Sequence, residues 1–514
     1  MTTLHKLFPL LSLAITASAE AKPPNILMIV VDDLKPAIGA YGDPHAITPV
    51  MDRIAQRGTL FANAHCQQAV CGPSRASLLT GLRPDSVRIW DLATQMRETV
   101  PDLVTLPQHF KLNGYQTASV GKIFDARCCD GWTTNDVPSW SRPHTTIDTP
   151  DLVLGMYGDP AVRAAAEARH AAALARGEPD RGVRAYKPTV ERLEHDVPDN
   201  FYADGRCADE AIKLLEDLGG GDAPFFLAVG FIKPHLPFTA PRQYWDLYER
   251  DRLPLARLRA MPEDAPAWHF QDSEELRIGY APVPAGSLPE AMQRELVHGY
   301  YACVSYVDAQ VGRLLEALEA GGLAEDTIIV LWGDHGWHLG DHGMWCKHTN
   351  YEQATRSPLL VVDPRLAAPG IRVERPVEFI DVAPTLVELS GVPERASFEG
   401  RSLVPLLTDP EAPHKRFAVS QYPRVQHEGE GENLMGYAFR DERHRFIVWI
   451  EKDFRAGERD GRLVATELYD YVADPLEARN LAAHPAYAAL ARGIEREAAD
   501  FSARELGMKW TPIR

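Results

Sequence analysis

The chain has 514 residues, 45% of them hydrophobic, and a formal net charge of −18. That length is ample for a large core, most naturally in two domains. So acidic a chain argues against nucleic acid as a partner, and an anionic substrate would need local cations to hold it.

Residues 1–21 read as a signal peptide. His5 and Lys6 precede an apolar run from Leu7 to Ala17, and small residues follow at Ala17-Ser18-Ala19 and Ala19-Glu20-Ala21. The run is too short for a mature membrane span, and no later stretch reads as one. The expected location is therefore secreted or periplasmic. Seven cysteines follow: Cys66, Cys71, Cys128, Cys129, Cys207, Cys303 and Cys346. Cys303 falls in an apolar helical pattern and reads as a core thiol. For vicinal Cys128-Cys129, a strained disulfide, pairing elsewhere and reduced thiols all stay open.

Asn25 to Val31 is a continuous apolar, β-branched run, the pattern of a strand buried on both faces of a parallel sheet. It ends in Asp32-Asp33, two carboxylates that repel unless a cation lies between them. In open α/β sheets ligands bind at that end of the strands. Thr48 to Gly58 reads as a helix with Pro49 in its first turn, Leu106 to Asn113 as another, and Thr117 to Val120 as a short strand before Gly121-Lys122. Residues 126–200 are irregular apart from an Ala/Arg-rich helix near 160–176, and contain Trp132 and Trp140. Asp204 to Leu218 is an amphipathic helix. Pro224 to Phe231 is a second buried strand, delivering Lys233-Pro234-His235. Residues 241–290 are proline-rich and loop-like, and Met292 to Gly321 is a long helix. Thr327 to Trp332 is a third buried strand, leading to Gly333-Asp334-His335-Gly336. Ser357 to Val362 is a further strand, and Phe379 to Thr385 opens a helix. After about Pro410 the texture changes. Phe417–Tyr422, Met435–Phe439 and Arg445–Ile450 alternate like antiparallel strands, and a terminal helix lies near 485–506. The expected organisation is 1–21 signal peptide, 22–410 catalytic α/β domain and 411–514 C-terminal subdomain.

The chemistry centres on Cys71-Gly72-Pro73-Ser74-Arg75 and the run Ala76 to Gly81. Pro73 suits the first turn of a helix. Cys71 is then at a helix N-terminus, where N–H groups and the dipole favour anions. Arg75, one turn on, can point back to the same site. A nucleophile, an oriented cation and a helix N-terminus suit attack on a tetrahedral oxyanion ester. The motif resembles that of type I sulfatases. Thr48-Pro49 to Ala55, Phe61 to Ala64, Gly121-Lys122, Asp334-His335, Phe379 to Thr385 and the segment Glu467 to Leu481 are similar to that family as well. Gln67-Gln68-Ala69-Val70 before Cys71, and Lys233-Pro234-His235 with Pro237-Phe238 after it, resemble the iduronate-2-sulfatase branch.

The resemblance implies an α/β fold with an alkaline-phosphatase-like large mixed sheet flanked by helices, plus a smaller C-terminal α+β subdomain with an antiparallel sheet. It implies a sulfuric ester hydrolase in which Cys71, oxidised to Cα-formylglycine by a formylglycine-generating enzyme, is the nucleophile. Asp32, Asp33, Cys71, Asp334 and His335 would hold one cation, Ca²⁺ or alternatively Mg²⁺ given the oxygen-rich ligands. Arg75, Lys122 and Lys347 would neutralise charge on the transferred group. His235 would protonate the leaving oxygen, and Lys233 and His342 join Lys122, His235 and Lys347 as substrate-binding candidates. The family often has a His three residues after the lysine. Here Asp125 stands there, a candidate base with His338 and His342 in reserve, or else a residue that merely orients Lys122. The expected substrate is a sulfated oligosaccharide, a 2-O-sulfated uronate attacked from the chain end. The alternatives are an arylsulfatase, a phosphonate or phosphate monoester hydrolase, and a non-catalytic binder of sulfated glycan in which Cys71 is unmodified. Neither a nucleic acid nor a membrane span is expected; the oligomeric state is open.

Overall fold

The computed structural model describes residues 22–131, 135–147, 156–280, 283–366, 369–425 and 433–511. The signal-peptide reading and Trp132 lie outside them.

The main sheet contains β1 (Asn25–Val31), β2 (Thr59–Phe61), β3 (Gln116–Gly121), β4 (Phe225–Phe231), β5 (Thr327–Gly333), β6 (Leu359–Val362) and β7 (Ile371–Val373), in the order β7-β2-β6-β5-β1-β4-β3. β5, β1, β4 and β3 run parallel, with Ile29 between Val229 and Leu331. β6 runs antiparallel to β5 and β2, which makes the sheet mixed. All seven residues of β1 are buried. Leu27, Ile29 and Val31 enter one core and Ile26, Met28 and Val30 the other. Alternate side chains leave opposite faces of a strand, so a strand covered on both faces needs an unbroken apolar run. Burial of each such side chain is worth about 1.5–3 kcal/mol.

Five helices fix what surrounds the strand ends. They are α1 (Pro49–Arg57), α2 (Cys71–Thr80), α3 (Ala203–Gly219), α4 (Glu274–Gly279) and α5 (Glu290–Ala320). α2 ends at Gly81, whose φ of 69° is the left-handed conformation that favours glycine. α4 and the short helix Arg242–Trp245 fall in the stretch read as loop-like. Each is too brief to show a 3.6-residue period, which is why the pattern gave no helix there.

The C-terminal part forms a second sheet from β8 (Ala418–Val425), β9 (Asn433–Arg440), β10 (His444–Glu451), β11 (Gly461–Asp470) and β12 (Trp510–Thr511). β8 to β11 make an antiparallel meander, and β12 joins β11 in parallel. One face packs on the helix Ala488–Phe501 through Phe417, Phe439 and Phe501. The sheet meets the segment before α2 directly: Gln421 N donates to Gln67 O at 2.7 Å and Ser420 Oγ to Cys66 O at 2.6 Å.

Candidate active site

Four parallel strands end side by side, and each releases charged residues onto the same edge. β1 is followed by Asp32 and Asp33, β3 by Lys122, β4 by His235 and β5 by Asp334 and His335. α2 arrives with Cys71 as its first residue, capped by extended Val70. Cys71 Sγ lies 3.4 Å from His335 Nε2. Asp32, Asp33, Cys71 and His235 form one group of potential metal ligands, and Cys71, Asp334 and His335 a second that shares the sulfur.

The carboxylates are fully buried, and each has a cation. Arg75, itself fully buried, spans two of them, with Nη2 2.9 Å from Asp32 Oδ1 and Nε 2.9 Å from Asp334 Oδ2. Its Nη1 donates to the Lys122 and Ile123 carbonyls. Lys122 Nζ is 2.6 Å from Asp32 Oδ2, and Lys347 Nζ is 2.8 Å from Asp33 Oδ1. Burial alone would raise the Asp32 carboxyl, but the Lys122 ammonium and the Arg75 guanidinium hold it well below the usual range. Burial, reinforced by Asp32, pushes the Cys71 thiol well up. Asp33 has φ 58°, and its N–H donates to Asp334 Oδ1 at 2.9 Å. This left-handed turn is one that Asp tolerates better than most residues, and it aims the two adjacent carboxylates into one site.

The donor set suits a hard divalent cation. His335 Nδ1 donates to Gly336 O at 3.0 Å, which leaves the Nε2 lone pair towards Asp33 Oδ1 at 3.4 Å and Asp334 Oδ1 at 3.7 Å. In the neutral imidazole that nitrogen is a ligand atom beside two carboxylate oxygens, and three carboxylates with one imidazole favour an oxygen-seeking ion.

The site opens into a cavity of about 1510 Å³, whose lining includes Cys71, Lys122, Asp125, His235 and Lys347. Four sequence-predicted residues take other parts. Lys233 does not line this cavity; its ammonium donates to His235 O at 3.0 Å and Pro237 O at 2.5 Å, so it braces the loop that carries His235. His342 is buried and does not line the cavity, its Nε2 donating to Leu476 O at 2.8 Å. His338 is likewise buried, its Nε2 2.9 Å from Thr349 Oγ1. Asp125 lines the cavity but caps the helical turn Ala126–Cys129 and is gripped by Arg127 at 2.8 and 2.7 Å. Burial would raise its pKa, yet the Arg127 hydrogen bonds and the Lys122 charge bring it down to about 2. So weak a base fits the orienting role beside Lys122. All seven cysteines are buried and free, Cys128 and Cys129 included.

The cavity also contains a residue the sequence did not reveal. Glu275, on α4, sets Oε1 3.0 Å from His235 Nε2 and Oε2 3.1 Å from Lys347 Nζ. The surrounding stretch offers no period, motif or strand end to mark it. His348, Tyr422 and Arg424 join the wall, with the Arg424 guanidinium 4.4 Å over the Tyr422 ring.

Fold and strand-edge site together define the class. The family pattern described as Sulfatase matches residues 24–392, and the chain belongs to the sulfatase family of sulfuric ester hydrolases. A second pattern, N-sulphoglucosamine sulphohydrolase, C-terminal, matches residues 340–504. Among individual proteins, the chain is 35% identical to iduronate 2-sulfatase of Homo sapiens, over 89% of this chain and 90% of that one. It is 28% identical to choline-sulfatase of Rhizobium meliloti, over 90% and 83%. In fold it matches a solved structure in complex with its substrate D-glucosamine-2-N,6-O-disulfate, with TM-score 0.70, 22% identity and coverage of 95% and 99%. It also matches a phosphonate monoester hydrolase from Silicibacter pomeroyi, with TM-score 0.71, 24% identity and coverage of 94% and 96%.

Proposed function

We propose that this sulfatase removes the sulfate of a 2-O-sulfated uronate at the end of a sulfated glycan. Asp32, Asp33, Asp334 and His335 hold a calcium or magnesium ion, and Cys71 acts after conversion to Cα-formylglycine. The observation that carries the reading is the convergence on Cys71 of three buried carboxylates and His335, each carboxylate already balanced by Arg75, Lys122 or Lys347. With the protein's own charges balanced in this way, a bound divalent cation leaves two positive charges for a sulfate group. The uronate assignment is supported by the 35% identity to iduronate 2-sulfatase. On this reading a formylglycine-generating enzyme matures Cys71, and residues 1–21 direct export.

When present, the ion would polarise the ester, and the hydrated aldehyde made from Cys71 would supply the attacking oxygen and, through its second hydroxyl, a route for sulfate to leave. The protein's side chains do the rest. Lys122 and Lys347 face the cavity and neutralise charge on the sulfate oxygens. Arg75 keeps Asp32 and Asp334 in register from behind. His235 Nδ1 donates to Leu236 O at 2.6 Å, so only the imidazolium places a proton on Nε2 towards Glu275. That Nε2 proton is the one given to the leaving sugar oxygen.

The test has two parts. Intact-protein mass spectrometry should show that Cys71 has lost a sulfur and two hydrogens and gained an oxygen. The purified protein should release sulfate from 2-O-sulfated iduronate oligosaccharides faster than from an aryl sulfate, and faster than it releases phosphate from a phosphate monoester. An unmodified Cys71 would sink the nucleophile, and a preference for internally sulfated polymer would sink attack from the chain end.

A further inference from the structure

Lys347 and His235, which line the same side of the cavity, are already engaged by an anion of the protein itself. Glu275 sits between His235 Nε2 at 3.0 Å and Lys347 Nζ at 3.1 Å, so one carboxylate spans the pair as two oxygens of a sulfate would. Its surroundings hold it there. Gln271 Nε2 donates to Trp345 O at 2.7 Å and to Lys347 O at 2.9 Å, and Trp345 N donates to Ser273 Oγ at 2.9 Å. The segment 271–275 is thus stitched to the segment that carries Lys347, where Cys346 and His348 take φ of 69° and 74°. Such left-handed backbone in large residues persists only where the surroundings enforce it. Lys347 is 2% exposed, its ammonium held between Asp33 and Glu275, whereas Glu275, which also lines the cavity, is 21% exposed.

The site needs such a device. A divalent cation with Lys122, Lys347 and His235 around one small dianion is a trap for the product: what binds a sulfate ester binds free sulfate as well, and uniform binding of this kind does not speed turnover.

We propose that Glu275 is a built-in competitor for sulfate. It pairs with Lys347 and His235 in the empty site, yields them to the incoming sulfate ester, and takes them back as inorganic sulfate departs. Glu275 is a positioning residue here, acting on the two cations and not on the reacting atoms, and its role rests on the sulfatase reading.

Calorimetric titration of the metal-loaded, full-length protein with sodium sulfate tests this without relying on turnover. Glu275→Gln removes the competing charge and keeps the shape, so sulfate should bind about tenfold or more tighter than to the unsubstituted protein. Product inhibition by sulfate should strengthen in parallel, and kcat should fall while KM falls with it. Glu275→Asp keeps the charge and should return sulfate affinity to within about threefold of the unsubstituted protein. If Glu275→Gln misfolds, by its melting curve, Glu275→Ala takes its place, with the same expected direction. Sulfate affinity that is unchanged or weaker in the neutral variant overturns the proposal, as does tightening of equal size in Glu275→Asp. Failure of the sulfatase reading looks different: the unsubstituted protein would then release no sulfate from any ester, whatever Glu275 does to binding.

Discussion

On the floor of the cavity, Asp32, Asp33, Lys122, Asp334 and His335 follow the ends of three parallel strands of one sheet, β1, β3 and β5, and all but Lys122 are buried. On its wall, Glu275 stands on a helix of six residues, and Arg424 reaches in from the second sheet to donate to Trp268 O at 2.7 Å and His269 O at 3.2 Å. The floor is fixed because β5, β1 and β4 are each held by ladder bonds on both sides, and β3, at the sheet edge, is paired along its length with β4. The wall is held by single side chains stitching one irregular segment to another. The difference teaches where each property of the enzyme resides. Chemistry common to a whole family needs fixed geometry and sits on the sheet, while discrimination among substrates sits on segments that tolerate change.

Breaking the floor should have the largest effect. Cys71→Ala removes one small buried side chain and should fold, with a melting temperature within a few degrees of the unsubstituted protein, while turnover falls by about 10³-fold or more. Near-native sulfate release would refute the nucleophile assignment. Asp334→Ala should cost both metal and stability. It leaves the Arg75 Nε–H, fully buried and 2.9 Å from the lost carboxylate, without an acceptor while Nη2 keeps Asp32, and an unsatisfied buried donor costs about 1–3 kcal/mol, more on a charged group. Elemental analysis checks the metal: one ion per chain retained in Asp334→Ala would remove this residue from the ligand set.

Changes at the margin between floor and wall should be smaller, and they separate catalytic from structural residues. A general base contributes about 10²–10⁴-fold, and Asp125→Asn should lose far less than that, with no burst of product alcohol, because Arg127 already occupies the carboxylate. Its effect belongs to stability. The Asp125 pKa is depressed from 3.8 to about 2, so its ion pair stabilises the protein above roughly pH 4 and is lost as the pH falls towards 2. The melting-temperature gap between Asp125→Asn and the unsubstituted protein should accordingly close in acid. His342→Ala is the companion test. It should lower stability by about 1–3 kcal/mol through the lost bond to Leu476 O and leave kcat/KM unchanged. Burst kinetics in either variant would return a catalytic role to that residue.

The amino-acid sequence by itself determined the floor. Unbroken apolar runs at 25–31, 225–231 and 327–333 specify strands covered on both faces, and a charged residue directly after such a run must emerge at the sheet edge. Pro73 and the left-handed Gly81 bound the helix that presents Cys71. These signals are local, so they are legible along the chain. Only the tertiary structure decided the rest. His235 and His342 look alike as lone histidines after glycine- or proline-rich turns, yet one faces the cavity and the other lies against Leu476, because orientation depends on what packs behind each loop. Lys233 points at carbonyls instead of substrate for the same reason. Glu275 is 40 residues from His235 and 72 from Lys347 in the chain, and only the folding of segment 271–275 against segment 345–347 makes the three meet. Contacts between distant irregular segments leave no periodicity to read, because their hydrogen bonds join single side chains to backbone and not strand to strand.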